Sequence, residues 1–345
     1  MDNEYAFEMS TSGIRFGWGV TREIGMDLAE WKVRRVMVLT DSIICNLPPV
    51  HNVLESLSGN HVPYVLFDRV RVEPTDESFA EAIQFAQENE VDAFVAVGGG
   101  STIDTAKRLS AERGLPLVSV PTTYGGSEWT AFYGIRDRER RRHGAGGGAQ
   151  LEAIVYEVGL TLDLPREVTG GTALNALAHC CEALYTRGHE AAGDELALKG
   201  AAEIDEALPR VLADGRDVDA RTRLLIGAAH AGHALALNGL ALAHAMAQAI
   251  GGRYGIAHGA LNAVCLPAAL RFNHEFVPDE LLGGRAADRA DELKELAGYS
   301  SLRALGVPER ELPLVADDVV AAAGARANPR PVSRDEAVNL LRETY

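Results

Sequence analysis

The chain is 345 residues long, with 49 acidic against 33 basic side chains and a formal charge of -16. That length exceeds what one hydrophobic core usually serves, which predicts two domains. The acidic balance repels phosphate backbones and anionic bilayers, so no nucleic-acid or membrane partner is expected.

The opening "MDNEYAFEMS" is acidic where an export signal would be basic and then apolar, and a cytoplasmic location is expected. From Arg35 to about Pro121, short apolar runs alternate with helix-period segments: "VMVLTD", "VPYVLFD", "DESFAEAIQFAQENE", "AFVAVGGGS", "TIDTAKRLSAE", "PLVSVPTT". Strands of this length, separated by amphipathic helices and ending in Asp, Gly or Thr, spell βαβ units and a parallel sheet. "YGIRDRERRRHGAGGGAQLEAIVY" reads as a hairpin with a charged, glycine-rich tip that closes this half.

Beyond about Leu164 the strand signals fade. Residues 1–163 are read as a dinucleotide-binding α/β domain, and residues 164–345 as an all-helical domain. "PREVTGGTALNALAHCCEALY", "AAGDELALKGAAEIDEALPRVLA" and "DARTRLLIGAAHAGHALAL" carry long apolar faces, and Ser333 with Glu336 three residues on predicts a capped last helix. The most apolar stretch, from Ala229, is interrupted by His230, His233, Asn238, His244 and Gln248, which fits a buried helix rather than a membrane span. Cys45, Cys180, Cys181 and Cys265 form no CxxC and are read as reduced, buried thiols.

"VAVGGGSTIDTAK" puts Gly98, Gly99, Gly100 and Ser101 between a buried strand and a helix. Glycines there let the backbone approach a pyrophosphate, and the helix N-terminus offers oriented N–H donors; a tight strand-to-helix turn is the plainer reading. The following "PTTYGGSEWT" offers Thr122, Thr123, Gly126 and Ser127 to a phosphate or nicotinamide. Asp41 ends "VMVLTD", where a carboxylate either takes the adenosine ribose and disfavours a 2′-phosphate, favouring NAD over NADP, or caps the next helix.

In the helical half, Asn175 and His179 are four positions apart in an apolar segment, so they share a helix face. His244 and Gln248 repeat that spacing, and His258 follows past the "IGGRYG" break. Any one buried histidine is usually a hydrogen-bonded core residue. Three imidazoles and an amide converging from two helices and a turn make a candidate divalent-metal tetrad, or a cationic pocket without metal.

"GGGSTIDTAK", "PTTYGGSEWT", "NALAHCCEALY" and "ALAHAMAQAIGGRYGIAHGALNAVCLP" together resemble the iron-containing alcohol dehydrogenase superfamily, over most of the chain. The resemblance implies its fold, shared with dehydroquinate synthase: a dinucleotide-binding α/β domain and an all-helical domain, with NAD(P) and a divalent metal, Fe or Zn, in the cleft between them. It extends the cofactor assignment to Asp104 and Lys107, and it implies a homodimer. The family's metal-binding Asp and three His fall on Asn175, His179, His244 and His258. Asn at the first position resembles maleylacetate reductases, which are generally regarded as not requiring the metal, whereas "FEMSTSGIRFGWGVTREIGMDL" and "RVRVEPTDESFAEAIQFAQ" look more like hydroxyacid–oxoacid transhydrogenase.

The expectation is therefore an NAD(P)H-dependent oxidoreductase acting on a small oxo-acid, with His179, His244 and His258 polarising the substrate. Reduction of maleylacetate to 3-oxoadipate in aromatic catabolism comes first, and metal-dependent oxidation of alcohols or hydroxy acids second. A dehydroquinate synthase-like lyase would want a carboxylate in the metal site, and a catalytically silent relative remains the most distant reading.

Overall fold

A computed structural model describes residues 13–71, 74–137 and 142–345; the opening "MDNEYAFEMS" and the charged hairpin tip at 138–141 lie outside them. The described chain forms two compact units. The first takes in the residues up to Thr123, with Thr130–Arg136 and Gly144–Leu164. The second comprises Tyr124–Trp129, the described part of Asp137–His143, and Pro165–Tyr345.

In the first unit the elements are β1 (Gly13–Gly17), α1 (Ile24–Glu30), β2 (Val36–Asp41), α2 (Pro48–Gly59), β3 (Tyr64–Val70), α3 (Asp76–Glu88), β4 (Ala93–Gly98), α4 (Gly100–Arg113), β5 (Pro116–Pro121), the greater part of a hairpin of β6 (Tyr133–Asp137) and β7 (Arg142–Gly146), and β8 (Gln150–Glu157). Six strands pair in the order β1-β8-β5-β4-β2-β3, all parallel. Alternate residues point to opposite faces, and both faces are covered. Val36, Val38, Val95, Val97, Val118 and Val120 pack with Ile24, Leu28, Val50 and Leu57 of α1 and α2. Met37, Leu39, Phe94, Ala96 and Leu117 pack with Phe79, Ala82, Ile103 and Leu109 of α3 and α4. Double burial explains why these strands read as continuous apolar runs rather than alternating ones.

After β2 the chain moves outward to β3, and after β4 it moves the other way to β5, so the sheet has its switch point between β2 and β4. The carboxyl ends that flank a switch point are where open parallel sheets hold ligands. Here those ends carry Asp41 and the Gly98–Ser101 turn.

The second unit is helical: α5 (Arg166–Ala183), α6 (Ala191–Ala213), α7 (Val218–Asn238), α8 (Leu242–Tyr254), α9 (His258–Phe272), α10 (Ala286–Leu296), α11 (Leu312–Ala321), α12 (Ala323–Ala327) and α13 (Arg334–Glu343). Ser333 and Glu336 form the reciprocal capping box at the start of α13. The apolar stretch from Ala229 is split: α7 and α8 are bent by 97° at the break between them, and no single helix among the described residues is long and apolar enough to cross a membrane. At the crossing of α5 and α9 the backbones nearly touch. A Cβ on Gly259 would lie 2.7 Å from the Gly171 carbonyl carbon, a distance only glycine permits. That approach brings the turn bearing Asn175 and His179 against the turn bearing His258 and Asn262. All four cysteines are free and buried, and burial pushes the Cys180, Cys181 and Cys265 thiols up, which keeps them protonated and unreactive.

Candidate functional site

The candidate residues fall into two sets, one in each unit. In the sheet unit, Gly98 ends β4 and Gly99 is the N-cap of α4, with no side chain capping the helix. The Gly98 carbonyl accepts the Thr122 N–H at 3.0 Å, and a Cβ on Gly99 would sit 3.0 Å from the Thr123 methyl, so the turns after β4 and β5 abut. A Cβ on Gly100 would meet nothing within 4 Å. A bare helix N-terminus beside open space suits a pyrophosphate, since both the donors and the room are present.

Around this turn the other candidates take different places. Asp41 Oδ1 accepts the Ile43 and Ile44 N–H groups at 2.8 and 3.1 Å, so this oxygen holds the turn after β2. Lys107 is buried and pairs with Asp104 at 2.8 Å, and its ammonium also donates to the Phe132 carbonyl. Asp104 Oδ2 accepts the Gly134 N–H at 3.0 Å. Asp104 and Lys107 thus tie α4 to the start of the β6–β7 hairpin. Ser127 falls in the Tyr124–Trp129 stretch, which belongs to the helical unit.

In the helical unit, α5, α8 and α9 assemble three imidazoles. The rings of His179 and His244 stack with centroids 4.6 Å apart and planes 14° from parallel. His258, the first residue of α9 rather than part of a turn, brings its ring within 5.5 Å of that of His244 at a 47° tilt. His179 and His244 are buried, while His258 is only half-buried. Burial, followed by the neighbouring His244 and His258, holds the His179 pKa well below the usual imidazole range, so this ring stays neutral.

Asn175 is tied at both ends. Its Nδ2 donates to the Gly125 carbonyl at 3.0 Å, and its Oδ1 accepts from Asn262 Nδ2 at 2.6 Å. A backbone carbonyl only accepts, so the first bond fixes which way the Asn175 amide faces, and that in turn fixes Asn262. The glycine loop lies flush on the cluster: at Gly126, where φ is +79°, a Cβ would stand 3.2 Å from both His179 Nδ1 and the Gly232 Cα. Farther along the same loop, Trp129 stacks on His233 at 4.4 Å. His230 is titrated down to about 4, chiefly by burial.

The residue that pattern reading missed is Glu182, three positions after His179 and fully buried. Its Oε2 accepts the Ala241 N–H at 2.9 Å and lies 2.6 Å from His244 Nδ1. Its Oε1 accepts the N–H groups of Ala243 and, at 3.4 Å, His244. A glutamate inside the apolar "AHCCEALY" was the available signal, because a buried carboxylate requires compensating donors.

This donor set does not fit a divalent metal. Asn175 puts a neutral amide oxygen, already accepting from Asn262 at 2.6 Å, where a hard cation would take a charged carboxylate. Among the described residues, no group of three or more His, Cys, Asp or Glu side chains is arranged to hold a metal ion. What the cluster offers is hydrogen bonding: His179 Nδ1, His244 Nε2 and Asn262 Oδ1 are buried with no hydrogen-bond partner within the protein. Such atoms call for a polar ligand.

Comparison with known proteins follows the same division of the chain. Residues 11–151 match the family described as iron-containing alcohol dehydrogenase, and residues 169–345 match the C-terminal part of the Fe-containing alcohol dehydrogenase family. The maleylacetate reductase of Pseudomonas sp. (strain P51) is 31% identical, the match covering 97% of this chain and 96% of that protein. The mitochondrial hydroxyacid-oxoacid transhydrogenase of Bos taurus is 30% identical, over 98% of this chain and 90% of that protein. Among solved structures, the maleylacetate reductase from Rhizobium sp. strain MTP-10005 superposes with a TM-score of 0.85 at 28% identity, covering 100% of this chain and 99% of that one. An iron-containing alcohol dehydrogenase from Corynebacterium glutamicum ATCC 13032 gives 0.86 at 28% identity, with 99% and 97% covered.

Two outcomes are expected from these geometries. Gly100→Val, which has room for its side chain, leaves thermal unfolding near that of the parent and removes NADH binding in a fluorescence titration; normal NADH binding by this variant would overturn the loop assignment. Asn175→Asp sets a carboxylate oxygen against the Gly125 carbonyl and costs about 1–3 kcal/mol in denaturant unfolding. Unchanged stability would mean that the amide orientation is not fixed by Gly125.

Proposed function

The chain belongs to the iron-containing alcohol dehydrogenase family of oxidoreductases, and from that premise we propose that it is an NAD(P)H-dependent reductase of maleylacetate, yielding 3-oxoadipate. The family implies NAD(H) and a divalent metal, typically iron. One observation carries the substrate reading: the cluster in the helical unit faces its ligand with imidazoles and amides, and the carboxylate it contains, Glu182, is buried behind His244. A carboxylate at position 175 would oppose an anionic substrate by ~4 kcal/mol at ~4 Å and an effective dielectric of ~20. Asn175 removes that opposition, which suits a dicarboxylate. Two imidazoles with buried, unpartnered nitrogens leave polar atoms for a polar ligand to meet.

In this reading the Gly98–Ser101 turn and the N-terminus of α4 hold the cofactor pyrophosphate, with Thr122 and Thr123 beside it and Asp41 toward the ribose. NADH held there would supply the hydride, added at the alkene carbon β to the substrate ketone. As the hydride adds, charge moves to the ketone oxygen, and His244 Nε2, the ring nitrogen not engaged by Glu182, meets the substrate as a hydrogen-bond acceptor. A proton taken up from solvent at the neighbouring carbon completes the addition of two hydrogens. His179, held neutral, orients the substrate oxygen, and His258 serves as the half-exposed third imidazole.

The test is NADH oxidation with maleylacetate against a neutral short aldehyde, in the parent and in His244→Gln. Higher kcat/KM for maleylacetate is expected, with kcat falling roughly 10²- to 10⁴-fold in the folded variant. Preference for the neutral aldehyde would favour the alcohol dehydrogenase reading instead, and an unaffected His244→Gln would remove His244 from the reaction.

A further inference from the structure

Glu182 does more than fill a gap at the end of α8. The residue that opens this helix, Ala241, has no side chain able to cap it, and the first N–H groups of α8 turn toward the Glu182 carboxylate from α5. Carboxylates are favoured at helix N-termini, where the helix dipole and the uncapped donors both stabilise negative charge. A capping role alone would account for the three backbone contacts. It does not account for the fourth, the 2.6 Å approach of His244 Nδ1 to Oε2.

That fourth contact settles the ring. Oε1 already takes the Ala243 and His244 N–H groups and Oε2 takes the Ala241 N–H, so both oxygens act as acceptors before the imidazole arrives. The proton between Oε2 and the ring then belongs to Nδ1. Nε2, buried and without a protein partner, becomes the atom that faces the cluster of His179 and His258. The hydrogen bond made by one ring nitrogen selects the role of the other.

We propose that Glu182 is a positioning residue that fixes His244 in the Nδ1–H tautomer, so that Nε2 is the atom presented to the substrate. The functional weight of the tautomer rests on the reading of His244 given above, whereas the tautomer itself does not depend on which substrate is reduced.

The experiment uses the full chain with 15N-labelled histidine. Two-bond 1H–15N spectra assign the His244 tautomer without substrate, with His244→Gln identifying its signals. The Nδ1–H form is expected in the parent. Glu182→Gln replaces an acceptor by an amide group; with its NH2 toward Nδ1, the ring must accept there and carry its proton on Nε2. The variant is therefore expected to show the Nε2–H form, with kcat reduced roughly 10- to 100-fold and KM for NADH unchanged. An Nε2–H tautomer in the parent overturns the proposal, and this outcome needs no variant to fold. A folded Glu182→Gln that keeps the Nδ1–H form, or keeps full kcat with an inverted tautomer, overturns it as well and leaves Glu182 as a helix cap. If maleylacetate is not reduced but the parent is Nδ1–H and the variant inverts, only the substrate reading falls.

Discussion

A carboxylate with no exposed surface, Glu182, is the constraint on which the helical unit depends. Taking an ionisable group out of water costs several kcal/mol unless donors replace the lost hydration. The chain meets that demand with the N–H groups of Ala241, Ala243 and His244 and the ring of His244, all at the break between α7 and α8. The 97° bend is therefore held by a polar contact inside an apolar environment. Removing either side would strand the other, which couples the direction of α8 to the orientation of its histidine.

A second polar chain complements the first. Gly125, Asn175 and Asn262 form a one-way series of hydrogen bonds that starts at a backbone carbonyl and ends at the buried Asn262 Oδ1. It works only because glycines allow close approach: Gly171 against Gly259 where α5 meets α9, and Gly126 against Gly232 and His179 where the loop meets α7 and α5. Polar groups in the site are thus oriented by main-chain atoms, which do not change rotamer. The imidazoles are neighbours by stacking and the amides by hydrogen bonding.

Much of this was legible in the sequence, for reasons particular residues make clear. The buried strands of "VMVLTD" and "AFVAVG", the glycines between β4 and α4, and the Ser333–Glu336 cap follow local rules that act within a few residues. The shared helix face of Asn175 and His179 follows from spacing alone. Glu182 escaped because its partners lie 59 to 62 positions away and three of them are backbone groups with no side-chain signature. Asn175 reads from sequence either as a satisfied core hydrogen bond or as half of a site, and its partners, a carbonyl 50 positions earlier and an amide 87 positions later, lie beyond any local pattern. Lys107, which the family resemblance places among the cofactor residues, has partners in Asp104 and Phe132, the latter 25 positions away and with no local signature.

The central proposal is that the helical unit holds an imidazole and amide site built on Glu182, in which the neutral Asn175 supplies no metal ligand for the reduction. The most direct measurement is metal content per chain after equilibration with Fe²⁺ or Zn²⁺ and dialysis, taken alongside NADH-dependent turnover before and after chelation. The account predicts no stoichiometric metal and unchanged turnover. One tightly held ion per chain, with activity that disappears on its removal and returns on its restoration, would contradict it.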